Sequence, residues 1–207
     1  MPRLEFFFDV SSPWTYLAFH NVQPLARELG VAVEWKPILV GGVFNAVNQS
    51  VYEQRANPVM VKARWHKKSM MDWARLAGLK IKFPPAVFPV NSVKVMRACC
   101  ALESEPMVRF ARAAFEAYWG DDADIAQDDA VADIARAAGL DPDAILASAN
   151  SQANKDKLRA NTDDVIARGG FGSPTMFVGE TDMYFGNDVL PLVCAALRQP
   201  ERTETSR

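Results

Sequence analysis

The chain has 207 residues, enough for one sizeable domain or for a domain with a subdomain. Hydrophobic residues make up 49% and charged residues 23%, which is ordinary for a globular protein, and the formal net charge is −2. This charge gives no general attraction for nucleic acid or for an anionic membrane. No window approaches the roughly 18 apolar residues that a membrane-spanning helix needs. We therefore expect neither nucleic acid nor a membrane as a partner.

The cysteines indicate a reducing compartment. Cys99, Cys100 and Cys194 have neither zinc-site nor redox-motif spacing, so they form no disulfide framework. The first residues carry charges, at Arg3 and Asp9, around a very short apolar run, which is unlike a signal peptide. We expect a cytoplasmic protein.

The first predicted elements are an aromatic strand over residues 6–8 and a helix that follows at once. Ser12 is a favourable N-cap, and Pro13 suits the first helical position because it has no N–H to leave unpaired. Apolar residues then recur at helical spacing until Gly30, a typical C-cap. The amides of such a helix start, with the helix dipole behind them, favour an anion such as a thiolate. Ser12 is therefore either a simple cap or a residue that contacts such an anion.

The middle of the chain is predicted to be helical. Residues 31–40 form a second strand, which completes a right-handed βαβ unit with a parallel pair. Gly41 and Gly42 are expected to open a loop, and residues 45–58 read as irregular. Three prolines forbid a helix over residues 83–89. Helical runs cover most of the remainder: residues 59–76, 91–103, 106–119, 129–138, 143–148 and 152–168.

Strand signals return near the C-terminus. Residues 175–178 and 183–185 are predicted to form a hairpin, and a final helix follows over residues 189–198. The order βαβ, helices, ββα predicts an α/β, thioredoxin-like fold with a large all-helical insertion between its two halves. We assign residues 1–44 and 169–200 to the thioredoxin-like domain, residues 45–168 to the helical insertion, and residues 201–207 to a flexible tail.

The start of the first helix lacks the thiols that this fold often carries there. The two cysteine positions of a Cys-x-x-Cys motif are Ser12 and Thr15 in this chain, so disulfide exchange is excluded. A thiolate at this helix start would have to come from outside the protein. The most plausible source is the thiol cofactor glutathione.

A second part of the site is predicted around Ser173 and Pro174, immediately before a strand. This is where thioredoxin-like folds carry a cis-proline that faces the first helix. A cis bond would expose the Ser173 backbone for β-type pairing with an extended peptide such as glutathione. A trans proline that merely opens the strand is the alternative.

Asn187 and Asp188 lie at the start of the last predicted helix. Either both are caps, or Asp188 pairs with the α-ammonium group of a γ-glutamyl residue while amides of the helix receive its carboxylate.

Several segments, in this order, give the chain a family resemblance that covers residues 6 to about 190: F-F-F-D-V-S-S-P-W-T-Y-L-A, V-N-Q, M-D-W-A-R-L-A-G-L, F-P-V-N-S, A-Y-W-G, F-G-S-P-T-M-F-V-G and F-G-N-D-V-L. The chain resembles the 2-hydroxychromene-2-carboxylate isomerase family, which is similar to kappa-class glutathione transferases and to DsbA-like oxidoreductases. Two departures are a longer segment between Asn48 and Lys62, and Trp14 and Thr15 after the proline.

The resemblance implies glutathione as the cofactor and a homodimer as the assembly. It implies that Ser12 activates the glutathione thiol and that Asn48 and Lys62 contact the tripeptide. It further implies that Ser173 and Pro174 pair with the cysteinyl backbone. The γ-glutamyl end is then bound by Asp188, next to Asn187.

The resemblance implies a cis-trans isomerase of aromatic-compound catabolism, whose bound thiolate adds reversibly to a small aromatic or conjugated carboxylic acid. Ser12 would donate its hydroxyl hydrogen to the sulfur. Candidates for the cation that binds the substrate carboxylate are Lys62, Arg64 and Arg97. The alternatives are a kappa-like glutathione transferase or peroxidase acting on electrophiles, and a non-catalytic, peptide-binding thioredoxin relative.

No metal site is expected. His20 and His66 have no Cys, Asp or Glu partner at ligand spacing, and the acidic run over residues 121–129 lacks the pattern of a calcium loop. Trp65 and Trp73 stand eight residues apart on one predicted helix, where they line either the core or a pocket for an aromatic substrate.

Overall fold

The computed structural model describes residues 3–199. Four strands form one sheet in the order β2–β1–β3–β4, with β1 and β2 parallel and the other pairs antiparallel. The strands are β1 Leu4–Phe8, β2 Val33–Pro37, β3 Thr175–Val178 and β4 Asp182–Phe185. The predicted thioredoxin-like α/β fold is confirmed. The predicted tail, residues 201–207, lies outside the described residues.

Strand β1 is fully buried and contributes side chains to two cores, because alternate side chains of a strand point to opposite faces of the sheet. Phe6 and Phe8 belong to the main core together with Phe19 of the first helix. Phe7 points the other way and packs against Phe177 with 5.7 Å between ring centroids. Helices therefore cover both faces of the sheet.

The helices among the described residues are α1 Pro13–Leu29, α2 Val40–Val47, α3 Ser50–Ala56, α4 Met60–Ala77, α5 Val93–Ala101, α6 Ser104–Phe115, α7 Asp128–Ala137, α8 Pro142–Asn150, α9 Gln152–Ala167 and α10 Leu190–Leu197. Helices α2 to α9 lie between β2 and β3, which confirms the helical insertion. Within residues 3–199, no helix is both long enough and apolar enough to cross a bilayer.

The predicted loop at Gly41 and the irregular stretch over residues 45–58 are wrong, because the structure forms α2 and α3 there. Two glycines give α2 a poor intrinsic helix propensity, and tertiary contacts stabilise it instead. Its first amide, Val40 N–H, donates to Asp9 Oδ2 at 2.9 Å. A Cβ on Gly42 would lie 3.3 Å from Thr162 Cγ2 of α9, so α2 packs closely there.

Helix α6 ends in a π-helical turn, Glu116–Gly120, rather than as a continuous α-helix to residue 119. This turn buries Trp119, whose indole N–H donates to Val10 O at 2.8 Å. The insertion thus packs directly against the segment that joins β1 to α1. The assigned domain boundary at residues 44/45 falls inside α2, and the division into two units stays a prediction.

Candidate active site

The start of α1 has the capping geometry that the sequence predicts. Ser12 is the N-cap, with φ −107° and ψ 123°, and its Oγ accepts a hydrogen bond from Thr15 N at 3.2 Å. Pro13 has no N–H, so Trp14 offers the first-turn amide that has no acceptor within residues 3–199. A helix N-terminus with a free amide favours an anion.

The loop before β3 lies directly against this helix start. The Ser173–Pro174 peptide bond is cis, and the Ser12 hydroxyl donates to Ser173 O at 3.0 Å. The side chain of Ser173 lies 2.7 Å from Thr15 Oγ1 and accepts from Asp9 N at 3.0 Å. The structure therefore brings Ser12 and Ser173 together across 161 residues of sequence.

The same contact shows that the Ser12 hydroxyl is engaged on both sides. It accepts from Thr15 N and donates to Ser173 O. For the hydroxyl to donate to a ligand, it must give up its hydrogen bond to Ser173 O. Ser173 O has two lone pairs, so it can accept from a ligand N–H in either case.

Asp9 is the buried acid of this site, and the sequence analysis gave it no role. Its carboxylate accepts from Ser11 N and from Val40 N, each at 2.9 Å, and joins the α1 turn to the first turn of α2. Burial raises the pKa of the Asp9 carboxyl, while hydrogen bonds from Ser11, Val40 and Ser92 act in the opposite direction. An aspartate between a buried strand and a helix N-cap is the signal that marks this position.

Asn187 and Asp188 follow β4 but do not cap α10. The N-cap of α10 is Val189, and it makes no side-chain capping bond. Asn187 is buried, and its Oδ1 accepts from Asn21 Nδ2 of α1 at 2.9 Å. Its own Nδ2 is buried without a hydrogen-bond partner in the described chain. Asp188 is exposed, so a buried unsatisfied donor and an exposed carboxylate occupy consecutive positions of the chain.

Of the two residues expected on the other side of the site, only Asn48 contacts the loop before β3. Its Nδ2 donates to Phe171 O at 3.0 Å, two residues before Ser173. Lys62 lies on the first turn of α4 and is exposed, and within the described range it forms no ion pair. The structure thus groups Ser12, Ser173 and Asn48 and leaves Lys62 unattached.

An aromatic wall, absent from the sequence analysis, flanks this group. Its rings are Phe44, Phe88, Phe171 and Phe185, of which Phe171 and Phe185 lie 4.4 Å apart. The guanidinium carbon of Arg55 lies 5.7 Å from the centroids of both Phe44 and Phe88. These residues come from separate segments, and only the folded chain shows that they are neighbours.

The cysteines offer no alternative thiolate. Cys99, Cys100 and Cys194 are free and buried. Burial raises the pKa of the Cys99 thiol well above its ordinary value, raises that of Cys100 to about 12, and also raises that of Cys194. Thiols in such surroundings stay protonated and inert.

A sequence model described as a DSBA-like thioredoxin domain matches residues 3–198. The chain belongs to this DSBA-like family. Among the most similar solved structures is that of a 2-hydroxychromene-2-carboxylate isomerase, with a TM-score of 0.80 at 28% identity, covering 94% of this chain and 93% of that one. A probable DsbA oxidoreductase from Streptomyces coelicolor, at 17% identity and a TM-score of 0.72, covers 98% of this chain and 93% of its own and shows the fold alone.

Two kinds of enzyme appear among the characterised relatives of this DSBA-like chain. The 2-hydroxychromene-2-carboxylate isomerase of Sphingobium xenophagum is 29% identical over 190 residues, covering 90% of this chain and 93% of the relative. Glutathione S-transferase kappa 1 of Caenorhabditis elegans is 27% identical over 221 residues, covering 97% of this chain and 93% of the relative. These similarities support an enzyme of the isomerase or glutathione-transferase type.

Proposed function

We propose that the chain is a glutathione-dependent isomerase of the 2-hydroxychromene-2-carboxylate isomerase type, acting in aromatic-compound catabolism. The observation that carries this proposal is the 3.0 Å hydrogen bond from the Ser12 hydroxyl to Ser173 O. It joins a helix N-terminus suited to a thiolate to a backbone suited to a peptide. The isomerases named above, similar over nine-tenths of the chain, support the reaction type.

The segments against the first half of α1 fit glutathione because they include donors that the protein does not use. The Trp14 amide and Asn187 Nδ2 are two such donors. Ser12 and Trp14 would hold the sulfur, and the Ser173 backbone would pair with the cysteinyl residue. Asn187 and Asp188 would take the charged γ-glutamyl end.

Asn48 and Lys62 would complete the contacts with the tripeptide. The Asn48 side chain already lies on the loop that carries Phe171. Lys62 is the exposed cation that we assign to a carboxylate of the tripeptide. Asn48 is the C-cap of α2 and Lys62 lies on α4, so the positions of both residues depend on how α2 to α4 pack.

The mechanism begins with an exchange of hydrogen bonds at Ser12. To reach the sulfur of a bound tripeptide, the Ser12 hydroxyl would exchange its hydrogen bond to Ser173 O for one to the sulfur. The hydroxyl, the Trp14 amide and the helix dipole then lower the pKa of the bound thiol. Ser12 donates a hydrogen bond throughout and does not itself attack the substrate.

When bound, glutathione would supply a thiolate for reversible addition to a conjugated carbon of the substrate. The role of this chain is to hold the negative charge on sulfur before addition and after elimination. Hydrogen-bond donors that point at the developing charge give the largest contribution to such catalysis.

The kappa-class relatives favour a second candidate, a glutathione transferase or peroxidase that uses the same site on electrophiles. Calorimetry with glutathione comes first, and absence of binding would contradict both enzymatic proposals in favour of a non-catalytic peptide-binding protein. Turnover of 2-hydroxychromene-2-carboxylate with glutathione, without its consumption, supports the isomerase. Consumption of glutathione with 1-chloro-2,4-dinitrobenzene, without isomerisation, supports the transferase.

We propose a homodimer that forms through the outer face of α4. Trp65 and Leu76 are 62% and 78% exposed, and they border a depression of about 350 Å³. Trp65 therefore does not lie in the core. Lys68 and Asp72, paired at 2.5 Å, give this face charges of both signs, which suits contact with a second copy.

Light scattering on Trp65→Lys tests the assembly. We expect a monomer, whereas the control Leu192→Lys, on an exposed apolar residue of α10, stays dimeric. A dimeric Trp65→Lys variant would contradict this contact.

We also propose a cytoplasmic location, because the three cysteines remain free thiols.

A further inference from the structure

Arg55 is held between two aromatic rings that come from different segments. The guanidinium carbon lies 5.7 Å from the ring centroids of Phe44, on α2, and Phe88, in the loop before α5. Cation–π contacts of this kind fix the orientation of a planar guanidinium. Arg55 on the short helix α3 is thus an oriented side chain, although it is exposed.

Both rings lead back to the turn that carries Ser12. A Phe44 ring atom lies 3.7 Å from the position that a Cβ on Gly172 would take, and Gly172 precedes Ser173. The ring centroid of Phe88 lies 6.4 Å from that of Trp119. The indole N–H of Trp119 donates to Val10 O. Val10 is two residues before Ser12, so the contacts of both rings lead to segments that form the candidate site.

The N–H groups of Arg55 are not used by the protein. Across residues 3–199, its guanidinium forms neither an ion pair nor a hydrogen bond, whereas Arg168 pairs with Glu5 at 2.6 Å. A guanidinium presents its donors in a planar fork that matches a carboxylate. The rings on each side suit a flat conjugated body.

We propose that Arg55 binds the carboxylate of a flat, conjugated carboxylic acid whose body packs along the aromatic wall beside the guanidinium. This inference deepens the proposed function and rests on it for the reaction, since it names the substrate anchor of the same site. It replaces Lys62, Arg64 and Arg97 as the cation for the substrate carboxylate. None of those three lies over a ring of the aromatic wall among the described contacts.

Binding of 2-naphthoate, compared with neutral 2-naphthamide, tests this subsite without any reaction. Calorimetry with each probe is run on the full chain, with and without glutathione. We expect Arg55→Ala to weaken 2-naphthoate binding by about 10-fold to 100-fold, the range of a charge-assisted hydrogen bond. We expect Arg55→Lys to weaken it less and 2-naphthamide binding to stay unchanged. Arg159→Ala, an exposed arginine of α9, is the matched control.

The other outcomes separate the two proposals. The carboxylate subsite would be overturned if Arg55→Ala weakened the binding of both probes equally, or if it left 2-naphthoate binding unchanged. It would also be overturned if the unaltered chain did not bind 2-naphthoate. If 2-naphthoate binding depends on Arg55 but glutathione does not bind, the subsite stands and the proposed reaction fails. A matching thermal midpoint for Arg55→Ala and Arg159→Ala shows that both variants fold.

Discussion

The two sides of the candidate site differ in their hydrogen bonds. On the sheet side, Ser12, Thr15 and Ser173 share hydrogen bonds of 2.7 to 3.2 Å. On the helical side, the side chains of Arg55 and Lys62 form no hydrogen bond within residues 3–199. The first side, which we call the rigid side, has its hydrogen bonds already made in the absence of a ligand, and Ser12 alone is proposed to exchange a partner. The second side, which we call the open side, carries cationic side chains that form no ion pair within residues 3–199. Under the proposed function, the first side would determine the chemistry and the second would select what is bound.

The largest effect is expected from removing the hydroxyl on the rigid side. Ser12→Ala should lower kcat/KM with saturating glutathione by about 100-fold to 1,000-fold, the cost of one donor to a developing anion. It should also lower the free energy of unfolding by about 1 kcal/mol, because the helix loses its cap.

Ser151→Ala is the matched control, since Ser151 caps α9 and accepts from Asn154 N at 3.3 Å. It should lose similar stability and keep its activity. Steady-state rates and urea unfolding of both variants are measured, and near-normal turnover in Ser12→Ala would assign Ser12 to capping alone.

Asp9→Asn tests whether the rigid side depends on its buried acid. One of the two amides that donate to Asp9 would face an NH2 group, at a cost of about 1–3 kcal/mol. The raised pKa sets the pH dependence: the contribution of Asp9 is full below its ordinary value of 3.8 and is lost as pH rises through the higher, folded-state pKa. The stability gap between the two proteins should therefore narrow as pH rises from about 4.

Urea unfolding at several pH values measures this gap. Asp141→Asn is the control, because Asp141 is an exposed N-cap of α8 and asparagine caps equally well. A gap that widens with pH would contradict burial as the dominant effect on Asp9.

A smaller effect is expected on the open side, from Asn48→Ala. Loss of its bond to Phe171 O should weaken glutathione binding by about 2-fold to 10-fold, with kcat largely kept, since one hydrogen bond contributes about 0.5–1.5 kcal/mol. Asn150→Ala removes a similar bond, to Leu146 O at 3.1 Å, away from the site. A fall in kcat with unchanged glutathione affinity would place Asn48 on the chemical side instead.

The smallest effect concerns α2, which joins the two sides. A Cβ on Gly41 meets no atom within 4 Å, so Gly41→Ala should stabilise the protein by about 0.5–1 kcal/mol. The matched change Gly42→Ala should gain less or lose stability, because its Cβ meets Thr162 at 3.3 Å. Equal gains for both variants would show that α2 does not pack tightly on α9.

The sequence predicts best where local chemistry decides the structure. Ser12, Pro13 and Gly30 are a cap, a first-turn proline and a C-cap, and each role depends only on near neighbours, so α1 is correct to the residue. Helix α2 could not be predicted, because its stability comes from Asp9 and from packing on α9.

Long-range contacts account for what the sequence does not show. Asn187 and Asp188 are predicted as caps or as contacts to the γ-glutamyl end, but the N-cap of α10 is Val189. The hydrogen bond that Asn187 accepts from Asn21 of α1 has no local signal. Arg55 has no local signal at all, because Phe44 and Phe88 approach it from separate segments. Residues with long-range partners become visible only in the folded chain.

The inert state of the three resident cysteines has a practical consequence. Alkylating reagents attack thiolates, and the pKa of each of these thiols is raised by burial. A reagent such as iodoacetamide, added near neutral pH, should therefore spare the polypeptide and consume only an exchangeable sulfur bound beside Ser12. Dialysis and a fresh supply of tripeptide should then restore the activity of such an enzyme, because the reagent leaves the polypeptide itself unmodified.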